Sequence, residues 1–249
     1  VSVRSLILFF TLVVPIFAGE VRVATAANMA FALPKIVEAF KKIYPDVSVE
    51  MVVGGSGKLR AQIEHGAPYD LFLSANTQYP EALYAKGIGV DKPVVYAQGE
   101  LVLFSRQGID LSSGLEVLTD SKVTRIAMAN PKTAPYGKAA KEALEHGGMW
   151  PKVASKIVYG ESISQTVIYS LRMVDVGIIA KSALYSDKVA PYKEKATVAE
   201  VDASYYTPIS QGMLLLKSAS QNKEAEALYR FLQSSRAKEI LQAYGYRTP

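Results

Sequence analysis

Apolar residues follow two rhythms along this chain: short, nearly continuous runs, and longer stretches in which they recur every three or four positions. The first rhythm predicts buried strands and the second amphipathic helices. VRVATA (21–26) reads as a strand. MAFALPKIVEAFKKIYP follows it and puts Leu33, Ile36, Val37, Phe40 and Ile43 on one helical face, with Pro45 as the stop. VSVEMVV (47–53) is a second strand, GGSGK breaks it, and KLRAQIEHG is a short helix. YDLFLSA (69–75) is a third strand, followed by a helix over QYPEALYAKG. GELVLFS (99–105) is a further strand and a route out of this first unit.

The same grammar then repeats. VTRIAMANP (123–131) is a strand entering a loop, and YGKAAKEALEHGG (136–148) is a helix closed by glycines. KIVYG (156–160) is a strand, SISQTVIYSLRM (162–173) a helix, and VDVGIIAKSA a strand with its exit turn. YYTPISQGMLLLK (205–217) is strand-rich and can lead back to the first unit. Two helices close the chain, with Ala225, Leu228, Phe231 and Leu232 inward on the first and Ala237, Ile240, Leu241 and Tyr244 on the second. Alternating strands and helices predict an α/β fold. We expect two lobes, each a central, mostly parallel sheet flanked by helices: residues 20–102 plus 206–249, and residues 103–205. Two chain crossings form the hinge, and a ligand cleft lies between the lobes.

Composition supports this and narrows the function. Of 249 residues, 49% are apolar, enough to build two modest cores. At the N-terminus, Arg4 precedes an apolar run from Leu6 to Val14, and Ala18 and Gly19 follow. That is the layout of a secretory signal over 1–19, and it places the protein in the periplasm. The run is short for a bilayer span and Pro15 interrupts it, so a membrane anchor fits less well. The absence of cysteine excludes disulfides, thiolate metal sites and cysteine nucleophiles. With 28 basic and 23 acidic residues the formal charge is +5, but the charges are interspersed. No basic stripe with interleaved aromatics argues for nucleic-acid binding, although the balance steers an anion weakly.

Four strand-to-helix junctions carry the candidate chemistry: ATAANM, VGGSGKL, NPKTAPYGK and YGESISQ. Each offers small or hydroxylated residues and the unpartnered N–H groups of a helix start, a natural anion site. Each also has a plainer reading. Asn28 and Ser162 can be helix caps, the glycines around Ser56 a tight turn, and Tyr136 a surface aromatic. Lys58 and Lys132 stand near two junctions and can point to solvent. No arginine occurs at these turns, so neutral donors would surround a fully ionised oxyanion. A phosphate that keeps a proton needs an acceptor, and Glu161 is the nearby carboxylate, or else a brace for the cleft. An enzyme is the rival class, but the acid–base inventory is thin. His65 and His146 sit beside glycines at helix ends, and neither a nucleophile elbow nor a metal-spaced histidine cluster occurs. The adjacent Tyr205 and Tyr206 raise ferric iron as another rival ligand.

At these junctions the chain resembles the periplasmic molybdate/tungstate-binding proteins of ABC transporters. The likeness runs from VRVATAANM to ILQAYGY and is most specific in AQIEHGAPYDLFLSA and NPKTAPYGKAAKEAL. YYTPI also occurs in some members, which weakens the iron reading. The resemblance implies a type II periplasmic-binding-protein fold and a monomer that hands molybdate or tungstate to a membrane permease. It implies no cofactor, no catalysis and no directly ligated metal. Carried over position by position, Asn28 and Ser56 are side-chain ligands. Ala27, Tyr136 and Ile163 offer backbone contacts, with Gly55, Gly57, Glu161 and Ser162 behind them. In one respect the chain departs: some members carry a ligating tyrosine where this chain has Ala180 in GIIAK. Sulfate, phosphate and ferric iron remain the alternative ligands.

Overall fold

The structure, a computed structural model, describes residues 19–249, so the expected export signal over 1–19 lies, apart from Gly19, outside the described residues. The first unit is built from β1 (Glu20–Ala26), α1 (Leu33–Lys41), β2 (Ser48–Gly54), α2 (Ser56–Glu64), β3 (Leu71–Leu73), α3 (Gln78–Ala85) and β4 (Val94–Gly99). The second contains β5 (Leu101–Ser105), β6 (Ile126–Ala129), α4 (Pro135–His146), α5 (Trp150–Val153), β7 (Ile157–Gly160), α6 (Ile163–Arg172), β8 (Val176–Ala180) and β9 (Thr197–Glu200). The chain then returns through β10 (Ile209–Leu215), α7 (Lys223–Phe231) and α8 (Ser235–Ala243).

Two five-stranded sheets result, in the orders β2-β1-β3-β10-β4 and β7-β6-β8-β5-β9. In the first, β1 runs parallel to both β2 and β3, and β10 pairs antiparallel with β3 and β4. The second repeats the scheme: β6 is parallel to β7 and β8, and β5 is antiparallel to β8 and β9. This is the expected two-domain, type II periplasmic-binding-protein architecture.

Strand alternation explains how helices cover both faces of each sheet. In β1, Val21 and Val23 join Leu33, Ile36 and Phe40 of α1 and Leu228 and Leu241 of the terminal helices in one core. Ala24 faces the other way, into a core with Leu59, Ile63 and Leu83. In the second unit, Ile126 and Met128 pack with Ala139, Ala140 and Ala143 of α4, while Val102, Phe104 and Ile179 pack with Val167 and Leu171 of α6.

The structure departs from the sequence expectation in a few places. Ile43 is 61% exposed, because α1 ends at Lys41 and the residue no longer continues the buried stripe. GELVLFS is not one strand: Glu100 separates β4 from β5. Leu101 already pairs with Ala180, and all of β5 is buried between β8 and β9, so the chain changes sheet at Glu100, ahead of Val102. The return crossing falls between Glu200 and Ile209. β4 and β9 had no clear sequence signal. Both are edge strands whose outward Val95 and Val198 are exposed, which blurs the apolar run.

Candidate functional site

The parallel strands β1, β2, β6 and β7 end toward the gap between the two units, and the chain turns there into helices. At the end of β1, Ala27–Ala30 form one 3-10 turn rather than the start of a long helix. Asn28 caps no helix. Its side chain is fully buried, and its amide nitrogen donates to Gln211 Oε1 and to the Tyr246 hydroxyl, both at 2.8 Å. Asn28 Oδ1 is buried without a partner.

At the end of β2, Gly55 is the N-cap of α2 and Ser56 its first residue. Ser56 is buried, and its Oγ accepts from the Ala75 N–H at 3.1 Å, which leaves the hydroxyl proton free to donate elsewhere. Across the gap, α4 opens on Pro135 and Tyr136, and α6 opens on Ile163 behind its Ser162 cap, whose Oγ accepts from Gln165 N at 3.3 Å. First-turn N–H groups such as those of Ser56, Tyr136 and Ile163 have no intrahelical acceptor.

Ala27, Asn28, Ser56, Tyr136 and Ile163, the five residues expected to contact the ligand, all border a single cavity of about 10 Å³. Gly55 borders it too, together with Ala26, Ala75, Ala134 and Pro135, so its walls come from both domains. About one water-sized sphere fits a space of this size. None of these lining residues is charged. Two larger clefts adjoin it: one of about 340 Å³ shares Ala75 and Pro135, and one of about 720 Å³ shares Gly55.

The remaining candidates lie around this cavity. Gly57 donates from its backbone to Thr133 O at 3.2 Å, and an added Cβ would sit 3.0 Å from that oxygen. Glycine therefore lets the domains touch here. Glu161 is exposed, borders the larger cleft and donates its own backbone N–H to Gln165 Oε1 at 2.7 Å. Lys58 and Lys132 are exposed. Two serines of the second domain reach the first: Ser164 Oγ donates to Ala27 O at 2.9 Å, and Ser182 Oγ to Asn28 O at 3.3 Å. The domains are thus in contact around the cavity.

The histidines and tyrosines that raised the rival readings lie apart from one another's side chains. His65 lies at the C-terminus of α2 with Nδ1 2.7 Å from Ala61 O, and His146 ends α4 with Nδ1 2.8 Å from Tyr205 O. The Tyr206 hydroxyl accepts from Leu101 N at 3.2 Å, while Tyr205 is exposed, so the two phenols do not converge. Among the described residues, no group of three histidine, aspartate or glutamate side chains is placed to hold a metal.

Sequence reasoning missed Ala75, although it too stands where a strand exits, and it missed the buried polar cluster behind Asn28. That cluster comprises Gln211, Tyr96, Tyr136 and Tyr246. Its one signal is a glutamine within a strand-rich segment, ISQGMLL. Burial pushes all three phenols up, Tyr246 to about 12, so each is a neutral hydroxyl at physiological pH.

The chain is similar to known proteins over most of its length. The family model described as bacterial extracellular solute-binding protein matches residues 21–247. The molybdate-binding protein ModA of Azotobacter vinelandii is 34% identical, over 92% of this chain and 90% of its own length. ModA of Rhodobacter capsulatus is also 34% identical, over 98% of this chain and 94% of its own length. The solved structure of the Azotobacter vinelandii periplasmic molybdate-binding protein superposes with a TM-score of 0.84 at 31% identity, covering 92% of this chain and 99% of that one.

Proposed function

The chain belongs to the bacterial extracellular solute-binding proteins, and on that premise we propose that it captures molybdate or tungstate in the periplasm and delivers it to the permease of an ABC importer. The observation that carries this reading is the small cavity between the domains, lined entirely by uncharged groups and approached by the N-termini of α2, α4 and α6. A dianion brings its own charge to such a place. Helix-terminal N–H groups and hydroxyls then surround it, each hydrogen bond to a charged oxygen contributing about 1.5–3 kcal/mol.

In this reading Asn28 and Ser56 meet the ligand with their side chains, and Ala27, Tyr136 and Ile163 with the backbone. Gly55 and Ser162 shape two of the helix starts, Gly57 allows close approach, and Glu161 stands at the mouth. Ala180 is fully buried and offers no hydroxyl, so in this reading the ligand is held without a tyrosine hydroxyl from that position. The ligand bridges both domains, favours the closed form and makes no covalent bond. The protein acts as a monomer, without cofactor, after export by its N-terminal signal.

Isothermal titration with molybdate, tungstate, sulfate, phosphate and ferric citrate tests this. One-to-one binding of the first two, with sulfate much weaker, is the expected result. Preference for sulfate, phosphate or iron would falsify the ligand assignment.

A further inference from the structure

Gln211 is fully buried in β10, at a register shift against β4. Buried polar side chains in a core need partners, and Gln211 has three. Its Oε1 accepts from Asn28 Nδ2 at 2.8 Å and from the Tyr96 hydroxyl at 3.0 Å, and its Nε2 donates to the Tyr136 hydroxyl at 3.2 Å. Space for the cluster comes from Gly99: a Cβ there would overlap the Tyr136 hydroxyl and lie 2.9 Å from Gln211 Nε2. Only the Asn28 end of the cluster is incomplete. Both polar atoms of that amide are buried, the nitrogen is committed to Gln211 and Tyr246, and Oδ1 has no partner.

In this arrangement Asn28 offers the cavity an acceptor, which suits a ligand that carries a proton. A half-turn of the Asn28 and Gln211 amides gives a second arrangement of the same contacts. Gln211 Nε2 then donates to Asn28 Oδ1 and to the Tyr96 hydroxyl, and Tyr136 donates to Gln211 Oε1. Tyr246, whose hydroxyl donates to Asn28 O at 2.9 Å in the first arrangement, turns its proton to Oδ1, 2.8 Å away, and leaves Asn28 O to Ser182. The Asn28 NH₂ is left over and faces the cavity as a donor. An acceptor-only oxyanion satisfies it, whereas in the first arrangement the same ligand would meet a lone pair.

Resting on the oxyanion reading above, we propose that Gln211 is a positioning and specificity-determining residue: with Tyr96 and Tyr246 it holds the Asn28 amide donor-side toward the ligand and so selects fully deprotonated oxyanions over protonated ones. Because Gln211 also meets Tyr136 of the second domain, the selection is coupled to closure.

The test is a double-mutant cycle titrated with sodium molybdate and with inorganic phosphate. Gln211→Met should weaken molybdate binding about tenfold or more and lower the molybdate-over-phosphate preference. In an Asn28→Ala background the same substitution should cost nothing further, because Gln211 acts through Asn28. Additive losses, or an unchanged anion preference in Gln211→Met, overturn the proposal. Tyr96→Phe, a milder change, should move preference in the same direction, and an unchanged preference there counts against it equally if Gln211→Met does not fold. If the unmodified protein binds no oxyanion, the functional reading itself fails. Binding by the unmodified protein with an additive cycle sinks only the role of Gln211.

Discussion

Ser56 meets two demands with one oxygen. Its Oγ accepts the Ala75 N–H, and its proton remains for a ligand in the cavity both residues border. Ser56→Ala removes a donor to a charged oxygen and strands a buried N–H, so molybdate affinity should fall by about 1.5–3 kcal/mol, tenfold or more. Calorimetry that shows no change would take Ser56 out of the site. Gly57 supports a different expectation. A methyl group there would crowd Thr133 O at 3.0 Å and the Tyr79 hydroxyl at 3.3 Å, and Thr133 belongs to the opposite domain. Gly57→Ala should therefore impede closure rather than folding: weaker binding, with the melting temperature of the ligand-free protein preserved. Equal loss of both would mean that the glycine serves the fold.

At the scale of elements, helix starts connect stability with binding. Ser162 caps α6 through Gln165 N, and Asn222 caps α7 through Ala225 N at 3.0 Å. Alanine at either cap should cost about 1 kcal/mol of stability by denaturant unfolding. Of these two helices α6 alone opens onto the cavity, so Ser162→Ala should also weaken binding, whereas Asn222→Ala should leave affinity unchanged. The same elements show what the sequence can reveal. Central strands and amphipathic helices were legible because burial on both faces, or on one stripe, imprints a rhythm; α7 buries Ala225, Leu228 and Phe231 as its spacing predicts. The edge strands β4 and β9 were not legible, since half their side chains face solvent. The positions that border the cavity could be read because they follow strands. Gln211 could not, because nothing local shows that a strand glutamine meets Asn28, 183 residues away along the chain.

Across the whole molecule, the two crossings meet in an ion cluster. Glu100, the residue at which the chain changes sheet, accepts from Lys181 of the second domain at 2.8 Å and pairs with Arg247 of the C-terminal segment at 2.6 Å. Lys181 also pairs with Glu200 at 2.6 Å, and its backbone N–H donates to Glu100 O at 2.9 Å. The Arg247 backbone exchanges hydrogen bonds with Gln98 at 2.9 and 2.7 Å, tying the chain end to β4. Burial pushes the Glu100 carboxyl up, but Lys181 and Arg247 outweigh it and hold the group below its ordinary 4.5. The hydrogen bonds that Lys181 donates to Glu100 and then to Glu200 raise it to about 12. A lowered carboxylate contributes stability above its ordinary pKa and loses it as pH falls through the lowered value. A raised amine contributes fully below 10.5 and loses it as pH rises through about 12. Glu100→Gln should therefore cost about 1 kcal/mol near neutrality, modest because Arg247 and Glu200 are largely exposed. The deficit should close as pH drops well below 4.5, where the wild-type carboxyl is protonated too. Ligand stabilisation should be additive with it: molybdate at about 100 times its Kd raises stability by about 2.7 kcal/mol in both proteins. A smaller ligand-induced rise in Glu100→Gln would mean that the cluster also sets the balance between open and closed forms, since the ligand would then have to supply closure energy that the ion pairs provide in the wild type.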